Sequence, residues 1–208
     1  MVTLNIDPAQ ELMKRMPKVV PEYREEAKSK ILEAAFQEFS EKGFHQTTME
    51  DVAKRVGVSK GALYLYFNSK EELFKGIYEK APQALGDIMR SSFKGNDFVE
   101  SSSQIFDRMM QQYASNPSLS FEIFAEATRN PDLKKVLRAN YDRYINVMVS
   151  FLKEQKAEVR STKDLDLHAL AQALISLWNG MEALLVVGYP VAEVKRAWLE
   201  ALRTMFMH

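Results

Sequence analysis

The chain has 208 residues, with 28 Lys and Arg against 28 Asp and Glu, and no cysteine. That length allows one large domain or two small ones. Zero net charge means that any attraction for nucleic acid must be local, and the lack of cysteine excludes disulfides, thiol catalysis and cysteine metal sites. No apolar run reads as a membrane span, and the first twenty residues lack the apolar centre of a signal peptide. A cytoplasmic protein without membrane contact is the expectation.

Residues 1–21 contain Pro8, Pro17 and Pro21 and a basic cluster at Lys14, Arg15 and Lys18. They read as a tail, either solvated or serving as an arm in an adjacent groove. A helix is expected from Tyr23, with Ile31, Leu32, Ala35, Phe36 and Phe39 at one-turn spacing. Gly43 ends it. "TTME" sets Thr47 three residues before Glu50, the spacing of a capping box. The second helix turns Met49, Val52, Ala53 and Val56 inward, and Gly57 breaks it. Ser59 caps a third helix through Phe67. Asn68 or Ser69 caps a fourth, which continues through "KEELFKGIYEKAPQALGDIMRSSF" with a disturbance at Pro82. Further helices are expected at about 97–115, 118–129, 131–156, 166–188 and 191–207, with Pro117, Pro131 and Pro190 at or near first turns. There is no alternating strand pattern and no internal repeat. The fold class is all-α, a small N-terminal unit followed by a larger helical bundle.

A short helix, a glycine-containing turn and a second short helix form the helix-turn-helix pattern. Its second helix enters the DNA major groove. From Val52 to Lys70 the chain holds Lys54, Arg55, Lys60 and Lys70 and no carboxylate, a local charge of +4. A carboxylate there would face phosphate. Lys60, Tyr64, Tyr66 and Lys70 suit phosphate contacts, Gly61 leaves room for close backbone approach, and Leu63 and Phe67 lie inward. Periodicity alone also describes an ordinary helical hairpin with a solvated basic face.

The order of residues is more specific. "ILEAAFQEFSEKGFHQTTMEDVAKRVGVSKGALYLYFNSKEELF" resembles the DNA-binding domain of the TetR family of transcriptional regulators. The resemblance runs without a gap from Arg24 to Phe74, about a quarter of the chain. It implies a homodimer on double-stranded DNA at a near-palindromic operator. Each subunit would have three N-terminal DNA-binding helices and a C-terminal ligand-binding and dimerisation domain. It divides the chain into a tail (1–21), a helix-turn-helix domain (22–70) and the C-terminal domain (71–208). The family's phosphate-contacting positions match Thr48, Tyr64, Tyr66 and Lys70, and its base-proximal positions match Ser59, Lys60, Gly61 and Leu63. Tyr66 stands where many members have His and keeps a hydrogen-bond donor.

Other chemistry finds little footing. His45, His168 and His208 lack metal-site spacing, and no metal or cofactor is expected. His45 is a candidate phosphate contact in the turn after the first helix. No nucleophile triad, phosphate loop or dinucleotide fingerprint occurs, so an enzyme is not expected.

"DLDLHALAQALISLWNGMEALLVVG" is apolar nearly all round after Ala169 and needs burial on more than one side. One side belongs to its own subunit and the other to a second copy. The resemblance places a four-helix dimer interface on the last two helices. Leu174, Leu185, Val194, Trp198, Leu202 and Met205 are the candidate interface residues. A ligand pocket is expected in the same domain, with an excess of Met and aromatics that suits varied apolar ligands. Its candidate residues are Phe106, Met110, Tyr113, Phe121, Glu122, Phe124, Tyr144, Met148, Trp178, Met181 and Glu182; core packing is the plainer role for any one of them. Arg143 is the nearest basic side chain expected there. The whole reads as a repressor that leaves its operator when a small lipophilic effector binds. The fourth helix would link pocket to reader through Leu73, Phe74, Ile77 and Leu85.

Overall fold

The computed structural model describes residues 21–93, 97–113, 117–155 and 166–206. The basic cluster at Lys14, Arg15 and Lys18 lies outside them, as does the side chain of Tyr113. Ten helices occur among the described residues: α1 (Pro21–Lys42), α2 (Met49–Val56), α3 (Lys60–Tyr64), α4 (Lys70–Tyr78), α5 (Ala81–Ser92), α6 (Phe98–Tyr113), α7 (Pro117–Ala127), α8 (Pro131–Glu154), α9 (Leu167–Val186) and α10 (Val191–Phe206).

The helix ends follow local chemistry. α2 opens on a capping box one residue later than "TTME" suggests. The Thr48 side chain accepts from the Asp51 amide, and the Asp51 carboxylate accepts the Thr48 N–H at 2.9 Å. Thr47 instead braces the loop before α2. It is buried, its hydroxyl 2.7 Å from the Gly43 carbonyl and 3.1 Å from that of Glu38. Gly57 closes α2 at φ +81, a left-handed conformation that favours glycine. Ser59 caps α3 by accepting the Ala62 N–H, but α3 ends at Tyr64, three residues before the expected Phe67. The expected fourth helix is two helices. Between them, the chain turns at Glu79–Lys80 and Pro82 enters the first turn of α5, where its missing N–H costs nothing.

Two apolar cores organise the chain. The first gathers Ile31, Phe39, Phe44, Val52, Leu63, Phe67, Leu73 and Phe74, and takes in Leu119 and Ile123 of α7 and Leu133 of α8. The second is built on Leu85, Met89, Phe106, Ile145, Leu174, Trp178, Val194 and Trp198. Full burial of such a side chain contributes about 1.5–3 kcal/mol. On the first core's flank, Glu38 is buried between Arg55, 2.6 Å away, and Lys42, 2.7 Å away. The Lys42 contact, with help from Arg55, holds its carboxyl below the usual range.

α9 is long and apolar enough to cross a membrane by length and composition, contrary to the expectation that no run would be. It packs on α7, α8 and α10. Even so, only 28% of its most apolar window is buried within the chain.

Candidate nucleic-acid interface and ligand cavity

α3 is seated on the first core by Leu63, fully buried, with Phe67 beside it. Its other side presents Ser59, Lys60, Gly61 and Tyr64 to solvent. A surface concavity of about 410 Å³ brings together Thr48, Lys60, Tyr64 and Lys70, with His45, Thr47, Met49 and Glu50. Ser59 stands at the head of α3, its hydroxyl accepting a backbone proton while keeping its own to donate.

Three expected contacts differ. Leu63 cannot reach a base, because it is 0% exposed; its inward face wins over the base-proximal place that the resemblance gave it. Leu65, the residue that caps the C-terminal end of α3, is an apolar side chain turned outward at 76% exposure. The pattern held that signal: with Leu63 and Phe67 inward at one-turn spacing, Leu65 falls on the opposite side. Tyr66 is half-buried and packs against the first core, so its ring also anchors the turn into α4.

Lys70 is half-buried too. Its ammonium donates to the carbonyls of Phe44 at 2.7 Å and His45 at 3.1 Å, and lies 4.8 Å from the centre of the Phe44 ring. Burial pushes its pKa down. The local charge is also smaller than the sequence count of +4. Lys54 pairs with Glu50 at 2.8 Å, and Arg55 turns back to Glu38 and Glu41 on α1. Lys60 and Lys70 carry the positive charge of the concavity.

A cavity of about 230 Å³ lies in the helical bundle. Of the expected pocket residues, Phe124, Tyr144, Met148, Trp178 and Glu182 line it. Phe106 and Met181 are buried in the second core, and Met110 is packed against it, none of them at the cavity wall. Phe121 is half-buried and off the wall. Further wall residues are Phe74, Tyr78, Met109, Asn140, Tyr141 and Asn179. Phe124 is 36% exposed while also lining the cavity. Arg143 is not in the wall: its guanidinium reaches Asn140 at 3.1 Å and the Glu79 carbonyl at 3.4 Å. Among the described residues, the one charged side chain in the wall is Glu182, 6% exposed. Burial pushes its pKa up to about 7.

Glu122 is not in the wall either. It lies on the other side of α7, where its carboxylate accepts the His45 N–H at 2.7 Å. Gly43, at φ +83, makes room for it: a Cβ there would stand 2.9 Å from the Glu122 Cδ and closer still to both oxygens. Glu126, one turn on, is 3.4 Å from the His45 imidazole. Thus one side of α7 holds the α1–α2 loop, while Ser120, Ile123 and Phe124 line the cavity. A second tie joins α4 to the α7–α8 junction, where the Asn130 amide donates to Glu71 at 2.6 Å.

The expected dimer residues divide by burial. Leu174, Val194, Trp198 and Leu202 are buried within the single chain, and Leu174, Trp198 and Leu202 line the cavity. They are internal rather than available to a partner. Leu185 is half-buried against the second core, and Met205 is 46% exposed. The outward side of α9 carries His168, Ala169, Gln172, Ala173, Ser176 and Gly180. Val186, Val187, Tyr189 and Val191 are exposed where α9 meets α10.

Residues 31–77 match the family model described as bacterial regulatory proteins, tetR family. The chain is 32% identical over 133 residues to the Bacillus subtilis protein YfiR, an uncharacterized HTH-type transcriptional regulator. That match covers 62% of this chain and 65% of YfiR's length. It is 34% identical over 133 residues to IcaR of Staphylococcus aureus, the HTH-type negative transcriptional regulator of the biofilm operon icaADBC, covering 55% of this chain and 69% of IcaR. Among solved structures, GusR of Salmonella enterica superposes with a TM-score of 0.72 at 27% identity, over 91% of this chain and 96% of GusR. The reader built around α3 is therefore a shared inheritance, and the chain belongs to the TetR family of DNA-binding transcriptional regulators, not to the enzymes.

Proposed function

We propose that the protein is a ligand-responsive repressor. As a homodimer it places two copies of α3 in successive major grooves of a near-palindromic operator, with half-sites roughly 34–36 Å apart. It leaves the operator when a small lipophilic molecule fills the cavity. Residues 22–70 carry the DNA contacts and residues 71–208 the effector and dimer contacts, although Leu73 and Phe74 complete the reader's core.

One observation carries this reading. Phe74, Leu119 and Ile123 belong at once to the core that seats α3 and to the cavity wall. A ligand that repacks the wall therefore also moves the support of the reader. It needs only a difference in affinity between the two arrangements. The relay is α4 together with α7, wider than the fourth helix alone. Fluorescence anisotropy of an operator fragment, titrated with apolar effectors, tests it. Saturable release is expected, and Ile123→Ala should keep both binding events while weakening their coupling. An operator affinity unchanged at saturating ligand would sink the proposal.

Within the concavity, Thr48, Lys60, Tyr64 and Lys70 are assigned to phosphates, and Ser59, Gly61 and Leu65 to the base edges. Lys60→Ala should lower operator affinity and make the slope of log affinity against log salt shallower by about 1.8, about 0.9 for each copy in the dimer. Lys70→Ala should do the same and also lower the melting temperature, because two loop carbonyls lose their donor. A partly exposed hydrogen bond of this kind contributes about 0.5–1.5 kcal/mol. An unchanged salt slope in both variants would remove the phosphate role.

The dimer surface is assigned to the outward side of α9 and its corner with α10. A Cβ at Gly180 would meet nothing within 4 Å in the single chain, so a substitution there spares the subunit's own packing. Gly180→Glu should give a monomer of unchanged helical content, with operator affinity reduced about a hundredfold because two linked readers become one. Sedimentation equilibrium that still shows a dimer would move the interface elsewhere.

A further inference from the structure

We infer that the cavity takes an organic cation, an amine or quaternary ammonium on an apolar body, with Glu182 as its counter-charge. The inference rests on the cavity being the effector site. Glu182 is 6% exposed and is the one charged side chain among the described wall residues. Among the described residues no Lys, Arg or His forms an ion pair with it; the influences on its carboxyl are burial and a hydrogen bond from Trp178, one turn earlier. The titratable groups that face it are two phenols, Tyr78 on α4 and Tyr141 on α8. Burial pushes both up to about 12, so both stay neutral.

The energetics select the charge of the ligand. A buried carboxylate without a counter-ion is costly. A neutral ligand leaves that cost in place, and an anion adds to it. A cation removes it and gains from the faces of Trp178, Tyr78 and Tyr141, since aromatic rings attract cations within about 6 Å of their centres. Size sets the body. A cavity of about 150 Å³ accepts benzene, so about 230 Å³ suits a one- or two-ring molecule with its ammonium at Glu182. The carboxyl must be ionised to serve. Because its pKa is about 7, a permanent cation should bind about tenfold more tightly at pH 8 than at pH 6.

The chain has two tryptophans, Trp178 and Trp198, and both line the cavity. Intrinsic fluorescence therefore reports occupancy. The test titrates the full chain with benzyltrimethylammonium and with neopentylbenzene, its uncharged carbon isostere, at pH 6 and pH 8. The cation should bind at least tenfold more tightly than the isostere at pH 8 and show the tenfold gain from pH 6. Glu182→Gln should abolish both differences. The two probes on the wild-type protein decide the matter even if that variant folds poorly. No preference for the cation at either pH, whether both probes bind or neither does, overturns the inference. Operator anisotropy separates it from the repressor reading. Cation binding without release upholds the ligand class and sinks the release mechanism. Release by an uncharged molecule, undiminished in Glu182→Gln, does the reverse.

Discussion

Glu182→Gln should raise the melting temperature of the ligand-free protein at pH 8 by about 6–12 °C and change it little at pH 5. The folded carboxyl titrates at about 7 and its reference value is 4.5. Between those values the folded state holds a proton that the unfolded state has released. Stability therefore falls as pH rises through that window. At about 1.4 kcal/mol per pKa unit, the loss reaches about 3 kcal/mol at pH 8 and stays below about 1 kcal/mol at pH 5. The amide never ionises, so the variant escapes the loss. For a chain of this size each kcal/mol moves the midpoint by about 2–4 °C. Thermal melts of both proteins at the two pH values check the result. Equal midpoints at pH 8 would mean that Glu182 is solvated in the free protein.

Leu63→Ala should abolish operator binding. Leu63 is fully buried in a helix of five residues, far too short to hold its shape alone. Its attachment to the first core is what orients Lys60 and Tyr64. Removing the isobutyl group costs about 2–5 kcal/mol through lost transfer energy and the cavity left behind. Leu63 is not in the cavity wall and Trp178 belongs to the second core, so quenching of Trp178 by a cavity ligand should survive. Gel shift and fluorescence on the same sample give the comparison. Tight operator binding by this variant would mean that α3 is held by something other than Leu63.

Leu63 also shows how far the sequence reached. Periodicity put it inward and family resemblance put it near the bases; local periodicity agreed with the packing. Elements repeating over many turns, such as α8 and α9, were legible to within two residues at their ends because a long amphipathic pattern has few alternative registers. Side-chain partnerships between helices were not. Lys70 on two loop carbonyls and Glu122 on the His45 amide both depend on how α4 and α7 pack, with 26 and 77 residues between partners. The pattern turns Trp198 and Leu202 toward a partner because α9 and α10 each have apolar residues to spare. Pattern alone cannot say which apolar side belongs to the same chain. The small residues Ala173 and Gly180 do not stand out as a surface in the sequence, because their side chains are too small to mark an apolar side.

The pairing of Gly43 with Glu122 bears on how this regulator can be re-engineered. Reader domains are attractive parts to exchange between regulators, so that one effector controls a new promoter. Here the exchangeable part contains a loop, between α1 and α2, whose glycine is faced by a carboxylate from the part left behind. A grafted reader with any side chain at position 43 would meet both a left-handed backbone and an occupied space. A grafted reader with glycine at position 43 but no acid at position 122 would lose the tie between the His45 amide and α7. Chimeras should work when the two residues travel together, which makes Gly43 and Glu122 a compatibility mark for choosing donors.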